Sequence, residues 1–296
     1  MSGPLRGVGK TALGVAMVRG HESRRADRLF DDPYAQAFAD AAPEAFAGES
    51  MAYTACTTPA EAGAGTARPA GGPGAALGAM FASHVVIRTR FFDDHLTAAA
   101  AAGCRQVVLL AAGLDTRAFR LDWPMGVRLF EIDLPEVLAF KDTVLAGCGA
   151  APRCERAALP VDLRDDWPGA LTEAGFDHAV PTAWLAEGLL LYLTAGEAAA
   201  LLSGAGELSA PGSRIAVEQG ATGHGHGTSL ASVRDLPAME EYVSLWKGGL
   251  DADVADWLGG HGWRPRRHDL TSIAASLGRP LPGPDGGGFV TAVRTG

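Results

Sequence analysis

QVVLLAAGLDTRAFR, residues 106–120, is the segment that decides the fold. The run QVVLLAA (106–112) is uncharged and does not alternate, as expected of a strand covered on both faces. Gly113 ends it, and Asp115 or Thr116 can cap a helix starting just beyond. A turn of small residues lets a ligand come close to the backbone, and a helix N-terminus favours polar or anionic groups. The strict G-x-G-x-x-G dinucleotide fingerprint is absent, because Ala111 and Asp115 interrupt it.

Further runs of the same kind follow. VRLFEID (127–133), a stretch near 154–161, TAWLAEG (182–188) and SRIAVEQ (213–219) read as buried strands. WRPRRHDL (263–270) and FVTAVRT (289–295) alternate with polar residues and supply the last two. Helical patterns lie between them, near 134–147, 166–175, 195–209, 238–247 and 252–260, and a long one at 75–102 precedes the first strand. This alternation predicts an α/β fold with a mostly parallel sheet and helices on both faces. Ligands in such sheets bind beyond the carboxyl ends of the strands.

Those ends carry chemistry. The second strand closes on Glu131 and Asp133, either of which could accept hydrogen bonds from a ribose diol. The third ends at Asp162-Leu163 and the fourth at Glu187. Together they outline an electronegative pocket for a ligand with hydroxyls, an amine or a positive charge. Arg88 adds the opposite charge. At 100° per residue, Phe81, His95, Phe92 and His84 all fall within about 40° of it on the long helix. Arg88 therefore lies on the apolar face, while Arg90 is turned roughly 160° away toward solvent. A buried guanidinium needs an anion, either an internal carboxylate or that of a ligand.

Composition removes several classes of function. Lys plus Arg is 25 against 34 Asp plus Glu, a net charge of −9, which argues against a nucleic-acid partner. No stretch approaches the length of a membrane span, and no signal-type apolar region opens the chain. The four cysteines, at 56, 104, 148 and 154, form no C-x-x-C pair, so a reducing cytoplasm is expected. RGVGKT (6–11) lacks the first glycine and the preceding strand of a P-loop, and HGH (224–226) has no further ligands for a metal. Residues 57–76 are small and proline-rich and read as a loop separating an N-terminal arm from the rest. The arm has apolar residues at helical spacing, but RGHESRR (19–25) reads as too charged for a buried helix. The expected division is 1–76, an arm serving as a lid, and 77–296, the main domain.

Several stretches together resemble the leucine carboxyl methyltransferase-like family of S-adenosylmethionine (SAM)-dependent methyltransferases, in its bacterial branch. They are TALGVAMVRGHES…DRLFDDPYA (11–35), VVIRTRFFDD (85–94), LAAGLDTRAFRL (110–121), FEIDLPEVLAFK (130–141), PVDLRDDWP (160–168) and WLAEGLLLYLT (184–194). The resemblance implies a Rossmann-like methyltransferase fold with seven strands, one of them antiparallel. It implies that Arg88 holds the methionyl carboxylate and that Gly113 lies against the cofactor. Asp133, rather than Glu131, would take the ribose hydroxyls, and Asp162 with Leu163 the adenine. Glu187 would lie near the amine or sulfonium. Ala111 departs from the family, which often has glycine there. The activity implied is O-methylation of a small-molecule carboxylate, of polyketide type or similar. Alternatives are a hydroxyl acceptor in secondary metabolism, an NAD-dependent oxidoreductase, or SAM binding without catalysis.

Overall fold

All seven expected strands lie in one sheet, in the order β3-β2-β1-β4-β5-β7-β6. The computed structural model describes residues 8–43, 73–219, 243–281 and 287–295. The strands are β1 (Gln106–Leu110), β2 (Arg128–Asp133), β3 (Glu155–Pro160), β4 (Thr182–Ala186), β5 (Arg214–Gln219), β6 (Trp263–Asp269) and β7 (Gly288–Arg294). The first five are parallel; β7 runs antiparallel to both β5 and β6 and sits one place in from the edge.

Both central strands, β1 and β4, are buried along their whole length, which is why they carry no alternation. Their side chains still divide by parity. Leu109, Leu129 and Leu185 pack on one face under α3 (Pro73–Ala101), α5 (Pro135–Gly147) and the N-terminal helices α1 (Val8–Ser23) and α2 (Ala35–Asp40). Val108, Leu110, Phe130 and Trp184 pack on the other, under α6 (Trp167–Glu173) and α7 (Ala195–Glu207). Helix α7 opens with a capping box, Thr194 and Glu197 each bonding the other's backbone amide. The short α4 (Arg117–Arg120) follows β1, α8 (Val254–Gly260) precedes β6, and α9 (Leu270–Ser276) follows it.

Two expectations change. The long helix begins at Pro73, two residues before the expected 75, because proline at the first helical position has its φ already set and loses no needed donor. The boundary at 76 and 77 therefore falls inside α3; the rest of the 57–76 segment, Cys56 and HGH (224–226) lie outside the described residues. The charged RGHES segment, read as unfit for burial, forms the end of α1 with Arg19 and Glu22 buried. Arg19 is paired with Asp32 at 2.9 Å, and Glu22 accepts the Leu29 amide at 2.8 Å. Ionic and hydrogen-bond partners across the arm satisfy groups that look exposed in isolation. Lys10 and Thr11 of the P-loop-like stretch are helical. Among the described residues no helix is long and apolar enough to cross a membrane, and no cluster of His, Cys, Asp and Glu is placed to hold a metal.

Candidate active site

Strand register builds one wall of the site. Leu110 of β1 pairs with Ile132 of β2 and with Ala186 of β4, and Ala186 pairs with Val217 of β5. The next residues, Ala111, Asp133, Glu187 and Glu218, therefore emerge at one level on the carboxyl edge. Arg88, Gly113, Asp133, Asp162, Leu163 and Glu187 all line a single cavity of about 670 Å³. That is within the range of about 300–1,000 Å³ usual for ligand pockets.

Asp133 is buried, and each of its oxygens takes one amide: Oδ2 from Gly113 at 2.5 Å and Oδ1 from Leu134 at 2.6 Å. Burial raises its pKa, against the lowering effect of those amides. Each oxygen keeps a lone pair for a ligand hydroxyl. Glu131, two residues earlier, is fully buried and paired with Lys141 at 2.8 Å and Arg156 at 2.6 Å. It serves the core, and only Asp133 of the two reaches the cavity. Gly113 has φ +51°, a conformation glycine adopts freely, and Ala111 shares it at φ +54° with a side chain that does not.

Arg88 is buried as its helical position predicts, and it meets internal carboxylates as well as the cavity. Its Nη1 donates to Glu218 at 2.9 Å. Its Nε is 2.9 Å from Glu187 but makes no hydrogen bond, so that contact is ionic only. Arg90 is half-exposed, on Asp94 and the Leu29 carbonyl. Beneath Glu187 lies Arg117, which donates to Glu187 at 2.7 Å, to Asp115 at 2.5 Å and to Asp93 at 2.7 Å. Asp115 takes the Arg117 amide at 2.6 Å, so it rather than Thr116 holds the start of α4. Asp162 is tied to Arg164, whose hydrogen bonds lower its pKa.

One residue of this wall, Glu218, and one beneath it, Arg117, were missed. Glu218 accepts from Arg88, from the Gly188 amide at 2.6 Å and from His84 at 2.6 Å. Burial favours its neutral form, but Arg88 and His84 hold its pKa down to about 2. The signal was present, since SRIAVEQ ends on a carboxylate just as TAWLAEG does. Arg117 gave no comparable signal, because its three carboxylate partners come from three separate segments.

The opposite wall is made by helices and loops. Gly9, Thr11, Ala12 and Val15 of α1, Phe81 and His84 of α3, Leu190–Tyr192 and Trp246 face the cavity from there. The Tyr192 hydroxyl bonds Thr11 and Trp246, and burial raises its pKa. Among the described lining residues, five carboxylates stand against four Lys and Arg side chains. A carboxylate edge, an acid at Asp133 with lone pairs to spare and a net negative lining suit SAM, which carries a carboxylate, an ammonium, a ribose and a sulfonium.

Comparison with known proteins agrees. Residues 12–206 match the model of the leucine carboxyl methyltransferase family. A protein of Parafrankia sp. is 50% identical over 290 residues, covering 97% of this chain and 87% of its own. One from Saccharopolyspora erythraea is 47% identical over 281 residues, covering 93% and 90%. Both are provisionally named S-adenosyl-L-methionine-dependent methyltransferases. A solved DUF574 family protein from Streptomyces avermitilis shares the fold, with a TM-score of 0.50 at 14% identity over 73% of this chain and 86% of that one. The chain belongs to the leucine carboxyl methyltransferase family of SAM-dependent methyltransferases.

Proposed function

We propose that this methyltransferase acts on a carboxylate oxygen of a small apolar acid. One observation carries the reading: the helix wall is largely apolar, and Tyr192, the tyrosine among its described residues, is pushed away from ionisation by burial. A carboxylate, with a pKa near 4, is already ionised at neutral pH and needs no base, whereas a phenol near 10 does. Membership of a methyltransferase family replaces the oxidoreductase alternative.

In this reading Arg88 holds the methionyl carboxylate and Glu187 faces the ammonium. Asp133 takes the ribose hydroxyls, and Asp162 with the Leu163 amide takes the adenine. Gly113 allows the close approach of the backbone. When bound, SAM supplies a methyl group already activated by its sulfonium. The protein's part is alignment and exclusion of water, worth on the order of 7–11 kcal/mol in well-oriented reactions. The N-terminal arm acts as the lid, with α1 supplying its inner face.

A hydroxyl acceptor is favoured by one contact, the 2.6 Å pairing of His84 with Glu218, which is how an imidazole is oriented as a base. Matched acids and alcohols separate the two readings by S-adenosylhomocysteine release. Acids are expected to turn over with kcat/KM flat between about pH 6 and 9. Faster turnover of the alcohols, rising with pH and lost in His84→Gln, would overturn the carboxylate reading.

A further inference from the structure

We propose that Glu218 is the positioning residue of the cofactor clamp: it holds Arg88 by one edge and leaves the other edge of the guanidinium for the ligand carboxylate. The inference rests on the placement of that carboxylate on Arg88.

A guanidinium offers two edges that can receive a carboxylate in bidentate fashion, Nη1 with Nη2 and Nε with Nη2. Glu218 takes Nη1 through a hydrogen bond of 2.9 Å. The other edge is guarded differently. Nε is buried without a hydrogen bond, although Glu187 lies 2.9 Å away. A buried donor left in that state is costly, and a ligand carboxylate that satisfies it relieves the cost. Glu187 is the carboxylate that gives way, turning from Arg88 toward the ligand's ammonium while Arg117 still holds its other oxygen at 2.7 Å.

Glu218 cannot give way as easily. It also accepts the Gly188 amide at 2.6 Å and contacts His84 at 2.6 Å, so three separate points fix it. Gly188 is in the left-handed conformation, φ +62°, and a Cβ there would come within 3.3 Å of Arg88 Nη1. The backbone at 188 is thus folded closely around this ion pair. Glu218 acts through Arg88, and its effect should be confined to ligands that carry the carboxylate.

The test is calorimetric titration of the full chain with SAM and with decarboxylated SAM. Glu218→Gln keeps the shape and an acceptor for Gly188 but removes the charge that holds Arg88. SAM is expected to bind about tenfold more weakly, and decarboxylated SAM to bind as in the wild type. Arg88→Lys keeps a cation between the glutamates and loses the planar edges. In that background Glu218→Gln should add little, because one interaction cannot be lost twice. Glu218→Asp, which shortens the reach, repeats the selective loss and serves if the glutamine variant does not fold. Equal weakening of both cofactors, or additive effects in the double variant, overturns the role of Glu218. If Arg88→Lys alone leaves SAM binding unchanged, the clamp assignment itself is wrong.

Discussion

Asp133, Glu187 and Glu218 stand at one level because three strand registers put them there. Thr11, Phe81, Tyr192 and Trp246 face the same cavity from four segments that no ladder joins. The strand wall inherits its geometry from the sheet, whose interior is fully buried and stiff. The helix wall depends on side-chain contacts such as those of Tyr192 with Thr11 and Trp246. Cofactor binding should therefore follow substitutions in the strand wall, and acceptor binding those in the helix wall.

The largest effect tests the strand wall against the core beneath it. Glu131→Ala would leave Lys141, which has no solvent exposure, as an unpaired buried charge. Breaking such a pair costs about 3–5 kcal/mol, so a large drop in melting temperature is expected. Asp133→Ala should cost far less stability and weaken SAM and S-adenosylhomocysteine alike. The reverse order, measured by thermal melts and titration, would show that Glu131 rather than Asp133 addresses the ligand.

Arg88→Ala comes next. Loss of a charge-assisted pair, roughly 1.5–3 kcal/mol, should weaken SAM about 10- to 150-fold. It also strips a partner from Glu187 and Glu218, so part of the loss will appear as reduced stability. Arg90→Ala, which among the described residues loses bonds to Asp94 and the Leu29 carbonyl, should leave SAM affinity within about twofold. Similar titrations for both variants would remove the cofactor role from Arg88.

Tyr192→Phe probes the helix wall. It removes the hydroxyl that links the 190–192 turn to Thr11 and Trp246 while keeping the ring. A net hydrogen bond is worth about 0.5–1.5 kcal/mol, so the acceptor KM should rise about 2- to 12-fold. SAM affinity should hold. A loss of SAM affinity with an unchanged acceptor KM would dissolve the division between the walls.

That division also sets what was legible in the sequence. Strand ends could be read because a buried run announces itself and its last residues must face the ligand edge. Arg88 could be read because a helix fixes angles from spacing alone. Arg19 and Glu22 could not, since Asp32 pairs with the one, and the Leu29 amide and Arg279 satisfy the other, from other parts of the chain. The same is true of Arg117, whose partners Asp93, Asp115 and Glu187 come from α3, the turn after β1 and the end of β4. Local pattern reports what a residue is, and only tertiary pairing shows why a charge can be buried.

The smallest effect lies in the turn after β1, where the two walls meet. Ala111 and Gly113 share the left-handed conformation, at φ +54° and +51°. An L-residue there carries about 1–2 kcal/mol of strain. Replacing Ala111 with Gly relieves it, and the added freedom of the unfolded chain takes back about 0.4–1 kcal/mol. A net gain of about 0.5–1 kcal/mol is expected, read as a small rise in melting temperature with acceptor KM unchanged. Gly113→Ala should do the opposite. Its new methyl would meet only the Ala12 side chain, at 3.5 Å, an ordinary contact, so backbone strain alone sets the stability loss. Because Gly113 also donates its amide to Asp133 at 2.5 Å, any shift in this turn disturbs Asp133 and should weaken SAM. Destabilisation by Ala111→Gly, or a Gly113→Ala variant as stable as the wild type, would show that conformation does not govern this turn.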